Sequence, residues 1–210
     1  AGRLTVSTAY TADAGAITRL NYAKRLVGVP IAVAAQAIGQ ASTPFFTRLF
    51  AEGKREELAH TFLATIRGAG VVALLAAAWL IALAEPVIDL LFRRGRFTAE
   101  DVAPTAIYLA VFAAAVPLWS LQGLTSRLFY AAQNTLWPMV AGTIVTVGAL
   151  PVYWLAQRSF GPTGLVVASG IGIFIHTVTL IALSPRLLPE LRRAAPPTLR
   201  RLAAGAVLAM

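Results

Sequence analysis

The chain has 210 residues, 58% of them hydrophobic and only 13% charged, with a mean hydropathy of +0.71; a soluble domain carries roughly 25% charged residues, so that class is excluded. Eighteen basic against nine acidic side chains leave a net charge of +9, which in so apolar a chain points to loop bias and anionic lipid and away from nucleic acid. Cysteine is absent, which removes disulfides, thiolate chemistry and Cys-based zinc sites.

The charges gather between apolar runs and leave nearly uncharged windows at 26–47, 68–84, 102–126, 128–157 and 159–185. Each approaches or exceeds the roughly 20 residues an α-helix needs to cross a ~30 Å hydrocarbon core. The expected fold class is all-α: a polytopic integral membrane protein with about five spanning helices and the start of a sixth, forming a single transmembrane region over 1–210. The Ala, Leu and Val runs do not alternate as the strands of a membrane barrel would. Residue 1 is not Met, the first residues lack the zones of a signal peptide, and an apolar run from about residue 198 stops at residue 210; the chain reads as a piece of a larger protein.

The first helix is expected over 15–50, with Pro30 and Pro44 as kinks. Lys24 and Arg25 start its apolar run. If the helix begins near Gly15, Arg25 lies about ten residues, or ~15 Å, from the outer end and near the midplane, where a cation faces a cavity or a partner. If it begins at Leu26, both cations snorkel to the interface. The connector "TRLFAEGKREELAHTF" reads as a turn at Gly53 and a short surface helix.

The second helix is expected over 65–92, leaving through "LLFRRGRFTAED". There Gly95 is the turn, Asp89 and Arg93 are spaced for a helical ion pair, and Thr98 caps a helix with Glu100 and Asp101 in its first turn. The third helix, 99–132, is expected to kink near Pro117, with Arg127 snorkelling at its far end. "AQNTLWP" is a tight turn in which Asn134 and Thr135 precede Pro138. The fourth and fifth helices are expected over 137–156 and 163–183, followed by a Pro- and Arg-rich connector. Gly164, Ala168 and Gly172, like Ala35 and Gly39, have the spacing of close helix packing.

Short-loop Lys and Arg count nine on the side of the first and last connectors (Arg48, Lys54, Arg55, Arg67, Arg186, Arg192, Arg193, Arg200, Arg201) against four opposite (Arg93, Arg94, Arg96, Arg158), which places the former in the cytoplasm. No Ser/His/Asp set, catalytic carboxylate pair or P-loop can be assembled, and no Asp or Glu occurs between Asp101 and Glu190. His176 stands alone in an apolar helix and reads as a core histidine; His60 carries no signal. The expectation is no enzyme, no cofactor and no metal site.

Three stretches, "LNYAKRLVGVPIAVAAQAIGQASTPFFTRL", "LAEPVIDLLFRRGRFTAEDV" and "SRLFYAAQNTLWP", in this order and separation, resemble the second half of the MurJ/MviN family of lipid II flippases within the MOP exporter superfamily. The resemblance covers essentially the whole chain. It rests on Glu85, Pro86, Leu91, Phe92, Arg94, Gly95, Phe97, Thr98 and Asp101, with Arg127, Tyr130 and Pro138 in the third stretch. It implies a fourteen-helix transporter of two lobes in the bacterial cytoplasmic membrane, with this chain as the eighth to twelfth helices and the start of the thirteenth. The implied activity is movement of lipid II from the inner to the outer leaflet by alternating access, without covalent chemistry. The family's central cavity is cationic, and the arginine of its N-Y-A-x-R motif lines it; that position is Arg25, with Asn21 opening the motif and Lys24 where the family often has an acid.

The implied partners are lipid II or a related undecaprenyl-pyrophosphate-linked glycan, membrane lipid and the first lobe of the same protein. Two alternatives stay open: an exporter of another polyprenyl-linked glycan, and a non-transporting membrane scaffold of cell-wall synthesis. The chain departs from the family at Asn134, Leu136 and Trp137. Some relatives hold sodium in this lobe with carboxylates and Asn on the eleventh helix, but the matching "IVTVGALPVYWLAQ" has neither, and Ser169 alone matches a hydroxyl ligand.

Overall fold

The computed structural model describes residues 18–29, 31–94 and 97–194, and every regular element among them is helical. Helix α1 occupies 18–29; a π-helical stretch, Ala32–Ala37, leads into α2, Ile38–Ala51. Then come α3 (Arg55–Ala82), α4 (Ala84–Phe92), α5 (Ala99–Ala114) and α6 (Val116–Ala131). Helices α7 (Leu136–Gly161) and α8 (Gly164–Leu187) follow, with a last turn, α9, at Leu191–Ala194. Among the described residues four runs are long and apolar enough to cross a membrane: α3, α5 with α6, α7, and α8. The chain is a polytopic all-α membrane protein. Its first expected span is present in pieces, α1, the π stretch and α2. Pro30, Gly95, Arg96 and the run from 198 lie outside the described residues.

Local chemistry explains where the helices stop. Gly53, at φ 72°, ends α2; its N–H donates to the Phe50 carbonyl and that of Lys54 to the Leu49 carbonyl, the paired bonds of a glycine-terminated helix. Glu52 accepts from Arg48 at 2.7 Å and pairs with Lys54 at 2.8 Å. Lys54 first, and then Arg48, hold its carboxyl down to about 2. No separate surface helix follows this turn, contrary to expectation: α3 starts at Arg55 and runs unbroken into the apolar core, with Glu56 and Glu57 favourably placed at its positive N-terminus.

The expected second helix, 65–92, is likewise two. Pro86 lacks an N–H and its ring crowds the carbonyl four residues back, at Ala82, where α3 ends; Leu83 takes φ −105°, ψ 15°, and α4 restarts with Glu85 in its first turn. Pro117 interrupts the third helix in the same way at Ala115, as expected. Pro44 lies inside α2, which continues through it. Between α6 and α7 the left-handed residue is Gln133, at φ 56°, and Asn134 Oδ1 accepts from the Trp137 N–H at 3.4 Å. Because a side chain at positive φ costs free energy that glycine avoids, Gln133→Gly is expected to stabilise the fold by about 1 kcal/mol, read as a rise in melting temperature.

Helices α7 and α8 form an antiparallel hairpin. Gly142 lies against the His176 ring, Gly172 against the Tyr153 hydroxyl and Gly164 against the Ala156 carbonyl, so the two lines of contact run in opposite senses. The reversal sits at Gly161, whose φ of 60° and ψ of −148° only glycine adopts freely. Close approach at the small residues is thus the packing the Gly164 and Gly172 spacing anticipates.

Two apolar clusters fix the ends of the bundle. One gathers Phe46, Leu58, Phe62, Leu128, Ala131, Leu188 and Leu191, so the α2–α3, α6–α7 and α8–α9 connections share one end. The other brings Ala23 and Val27 of α1 to Ile88, Val102, Leu109 and Val166. Buried hydroxyls at Ser120, Thr125 and Ser126 bond carbonyls four residues back, which satisfies them without a cross-helix partner. Thr177 adds a bond to the Leu118 carbonyl at 3.2 Å and ties α8 to α6.

Candidate functional site

Helix α1 buries Ala23 and Val27 completely or nearly so, at 0% and 1% exposure, and leaves Asn21, Lys24, Arg25 and Gly28 exposed. The arrangement follows from the 3.6-residue period, since 23 and 27 share one face while 21, 24, 25 and 28 spread over another. Neither Lys24 nor Arg25 makes an ion pair among the described residues. Among the described residues no carboxylate claims either cation.

Beside this face opens a cleft of about 360 Å³ between α1, the α5–α6 break and the α7–α8 hairpin. Leu20, Asn21 and Lys24 supply one wall. Phe112 and Trp119, stacked at 6.3 Å and 23° across the break at Ala115, form the floor. Tyr153 of α7 and Leu165, Val166 and Ser169 of α8 close the far side. The Ser169 hydroxyl donates to the Val166 carbonyl at 2.7 Å, leaving its lone pairs free to accept. The lining contains one cation, no carboxylate, and otherwise aromatic and aliphatic surface. It suits an amphiphile whose anionic group meets Lys24 while an apolar part lies on Phe112 and Trp119; it offers no acid for a proton relay.

The expected site residues are distributed unevenly. Lys24 and Asn21 line the cleft, whereas Arg25 stands on the adjoining exposed flank and is absent from the lining. Arg127 is half-buried: its side chain lies over Gly39 of α2, and its Nη1 donates to Thr43 Oγ1 at 3.3 Å. Tyr130, Glu85, Pro86 and Arg94 are exposed. Pro138 sits in the first turn of α7, where its missing N–H costs nothing. Asp89 and Arg93 pair at 2.9 Å, as their spacing allows. Among the described residues the buried Nε2 of His176 has no hydrogen-bond partner. No group of three His, Cys, Asp or Glu among the described residues could hold a metal.

Thr98 and Asp101 do more than cap a helix. Asp101 Oδ2 accepts from the Thr98 N–H at 3.0 Å and the Thr98 hydroxyl at 3.1 Å; the first of these bonds, with the reciprocal Asp101 N–H on the Thr98 side chain, closes a capping box. Its Oδ1 meets Arg19 Nε of α1 at 3.1 Å. Phe97 joins Phe92 around Tyr22, at 5.9 and 4.6 Å between ring centroids. Sequence reasoning missed Arg19, Tyr22, Tyr153 and Trp119; nothing local distinguishes them, because each acquires its role from a helix distant in the chain.

Comparison with known proteins points to one family. The family model for the lipid II flippase MurJ matches residues 3–206. A probable lipid II flippase MurJ of Bdellovibrio bacteriovorus is 30% identical over 194 residues, covering 91% of this chain and 37% of that protein. Proteins of the same description from Vibrio cholerae and Rhizobium meliloti are 28% and 29% identical, covering 79% and 81% of this chain and 32% and 33% of their own lengths. The chain spans about a third of the length of the curated relatives it matches. No solved structure matches it significantly.

Proposed function

The chain belongs to the MurJ family of lipid II flippases, and on that premise we propose that it forms most of the second lobe of a transporter carrying lipid II from the inner to the outer leaflet of the bacterial cytoplasmic membrane. The observation that carries the reading is the pair Lys24 and Arg25: adjacent exposed cations on α1, unpaired among the described residues, one in an apolar cleft and one on its flank. A pyrophosphate needs cations that no carboxylate has already claimed. Arg25 presents a planar fork to phosphate oxygens and Lys24 a compact charge, while Asn21 adds an amide donor.

Transport then requires no bond to break. The lobes rock about the cavity, exposing it first to one leaflet and then to the other, and the cations hold the headgroup through the change. The first lobe, in the remaining part of the protein, supplies the opposite wall. The short-loop charge count orients the end holding the α2–α3 and α8–α9 connections toward the cytoplasm. At the other end Arg158 lies 3.8 Å over the Trp154 ring, a cation on an amphipathic aromatic suited to an interface.

Cells depleted of their own lipid II flippase and given the full-length gene provide the test, with growth and outer-leaflet lipid II as readouts at matched membrane levels. Wild type is expected to restore both, and Arg25→Ala and Lys24→Ala to lower outer-leaflet lipid II at least tenfold. Full restoration by both variants would remove the cations from the substrate path. Accumulation of a different polyprenyl-linked glycan, or loss of a cell-wall enzyme from its site without any lipid defect, would replace the substrate or the activity itself.

A further inference from the structure

We propose that Arg19 and Tyr22 are positioning residues: together with Asp101, Phe92 and Phe97 they clamp α1 to the α4–α5 turn and so set the rotation at which Lys24 and Arg25 are presented. The proposal rests on the transport reading for its purpose but on geometry for its existence. Arg19, Tyr22 and Leu26 recur at the three- and four-residue spacing of one helix stripe, and that stripe faces the turn. Tyr22 stacks on Phe92 at 4.6 Å and 26° and meets Phe97 edge-on at 5.9 Å. Arg19 Nε bonds Asp101 Oδ1 at 3.1 Å, with the two side chains only 30% and 22% exposed.

The acceptor is itself held. Thr98 donates both its N–H and its hydroxyl to Oδ2 and leaves Oδ1 aimed at Arg19, so the carboxylate is fixed by its own helix before α1 arrives. Lys24 lies two residues from both Tyr22 and Leu26, which at about 100° per residue puts it on the opposite side of α1 from the clamp. Fixing one side of a helix against rotation fixes the other. The need for such a device arises at Ala32–Ala37, where the π stretch makes a less regular connection to α2 than an unbroken α-helix would. Helix α2 is held separately, by Gly39 and Thr43 against Arg127 and by Phe46 against Phe62 at 5.9 Å. Without the clamp, only the apolar packing of Ala23 and Val27 against Ile88, Val102, Leu109 and Val166 would oppose a turn of α1 about its axis on that joint.

Thiol labelling of the full-length protein in membranes tests this, after any cysteine outside these residues is replaced; the 210 residues themselves contain none. Ala23→Cys, at a position 0% exposed on the buried face of α1, reports its rotation, and Ala59→Cys, 0% exposed at the other end of the bundle, reports general loosening. Arg19→Ala and Tyr22→Ala are expected to speed maleimide labelling at 23 at least threefold while leaving that at 59 slow; Arg19→Lys and Tyr22→Phe should restore slow labelling at 23. Slow labelling at 23 in the alanine variants, or a parallel rise at 59, would overturn the proposal. Arg19 lies on the rim of the fold and is half-buried, so Arg19→Ala decides the matter if Tyr22→Ala fails to fold. Outer-leaflet lipid II is measured in parallel: a wild type that moves no lipid II while 23 responds as expected sinks the transport reading and leaves the clamp. Conversely, lipid II transport by wild type with an unresponsive 23 sinks only the clamp.

Discussion

Gly164→Val is expected to destabilise the α7–α8 hairpin by about 3 kcal/mol, the upper range for forcing side-chain atoms into filled space. Any β-carbon at 164 would collide with the Ala156 carbonyl oxygen and stand 2.9 Å from Phe160 Cβ. The obstacle is backbone, which cannot rotate out of the way, so α8 must shift from α7. That shift would also move Val166 and Ser169 and open the far wall of the cleft. Gly148→Ala is the comparison, because a methyl there meets nothing within 4 Å. Thermal unfolding of the full-length protein in detergent should separate the two by several degrees; equal melting would mean that the hairpin contact is wrongly placed.

Gly39→Val should cost less, about 2 kcal/mol, because its obstacle is the far half of a flexible side chain. A methyl at 39 would come within 2.8 Å of Arg127 Cδ. Moving that side chain breaks its bond to Thr43 and takes a guanidinium out of its packed seat between α2 and α6. The diagnostic is the double mutant. With Arg127→Ala in place, the additional effect of Gly39→Val should fall by about 1–2 kcal/mol, a coupling typical of residues in direct contact. Strict additivity would show that the two residues do not share a site.

Much of the fold is legible in the sequence wherever the cause is local. Uncharged windows mark the spans because a backbone in hydrocarbon must satisfy itself within a helix. Pro117, Gly53 and Thr98 with Asp101 mark a break, a stop and a cap through chemistry contained within a few residues. Other expectations fail for equally physical reasons. The charged stretch after Lys54 has the composition of a surface segment, yet it belongs to the same helix as the apolar run, since Glu56 and Glu57 are good first-turn residues and nothing there interrupts the backbone. Pro86 breaks a helix that its apolar pattern alone would have continued. For Arg127, expected to snorkel, the structure adds a contact that the sequence did not show: its side chain lies over a glycine in another helix.

What the sequence determined by itself is the class of protein and its local punctuation: an apolar, polytopic helical chain, carrying motifs of one family, with cations at 24 and 25 and no acid near them in the chain. Only the tertiary structure decided which cation enters the cleft, that Phe112 and Trp119 floor it, and that Asp101, already committed to its own cap, also receives Arg19. Thr43 and Arg127, 84 residues apart, illustrate the reason. A helix period tells which residues share a face, but the neighbour of that face is chosen by the packing of all the helices at once.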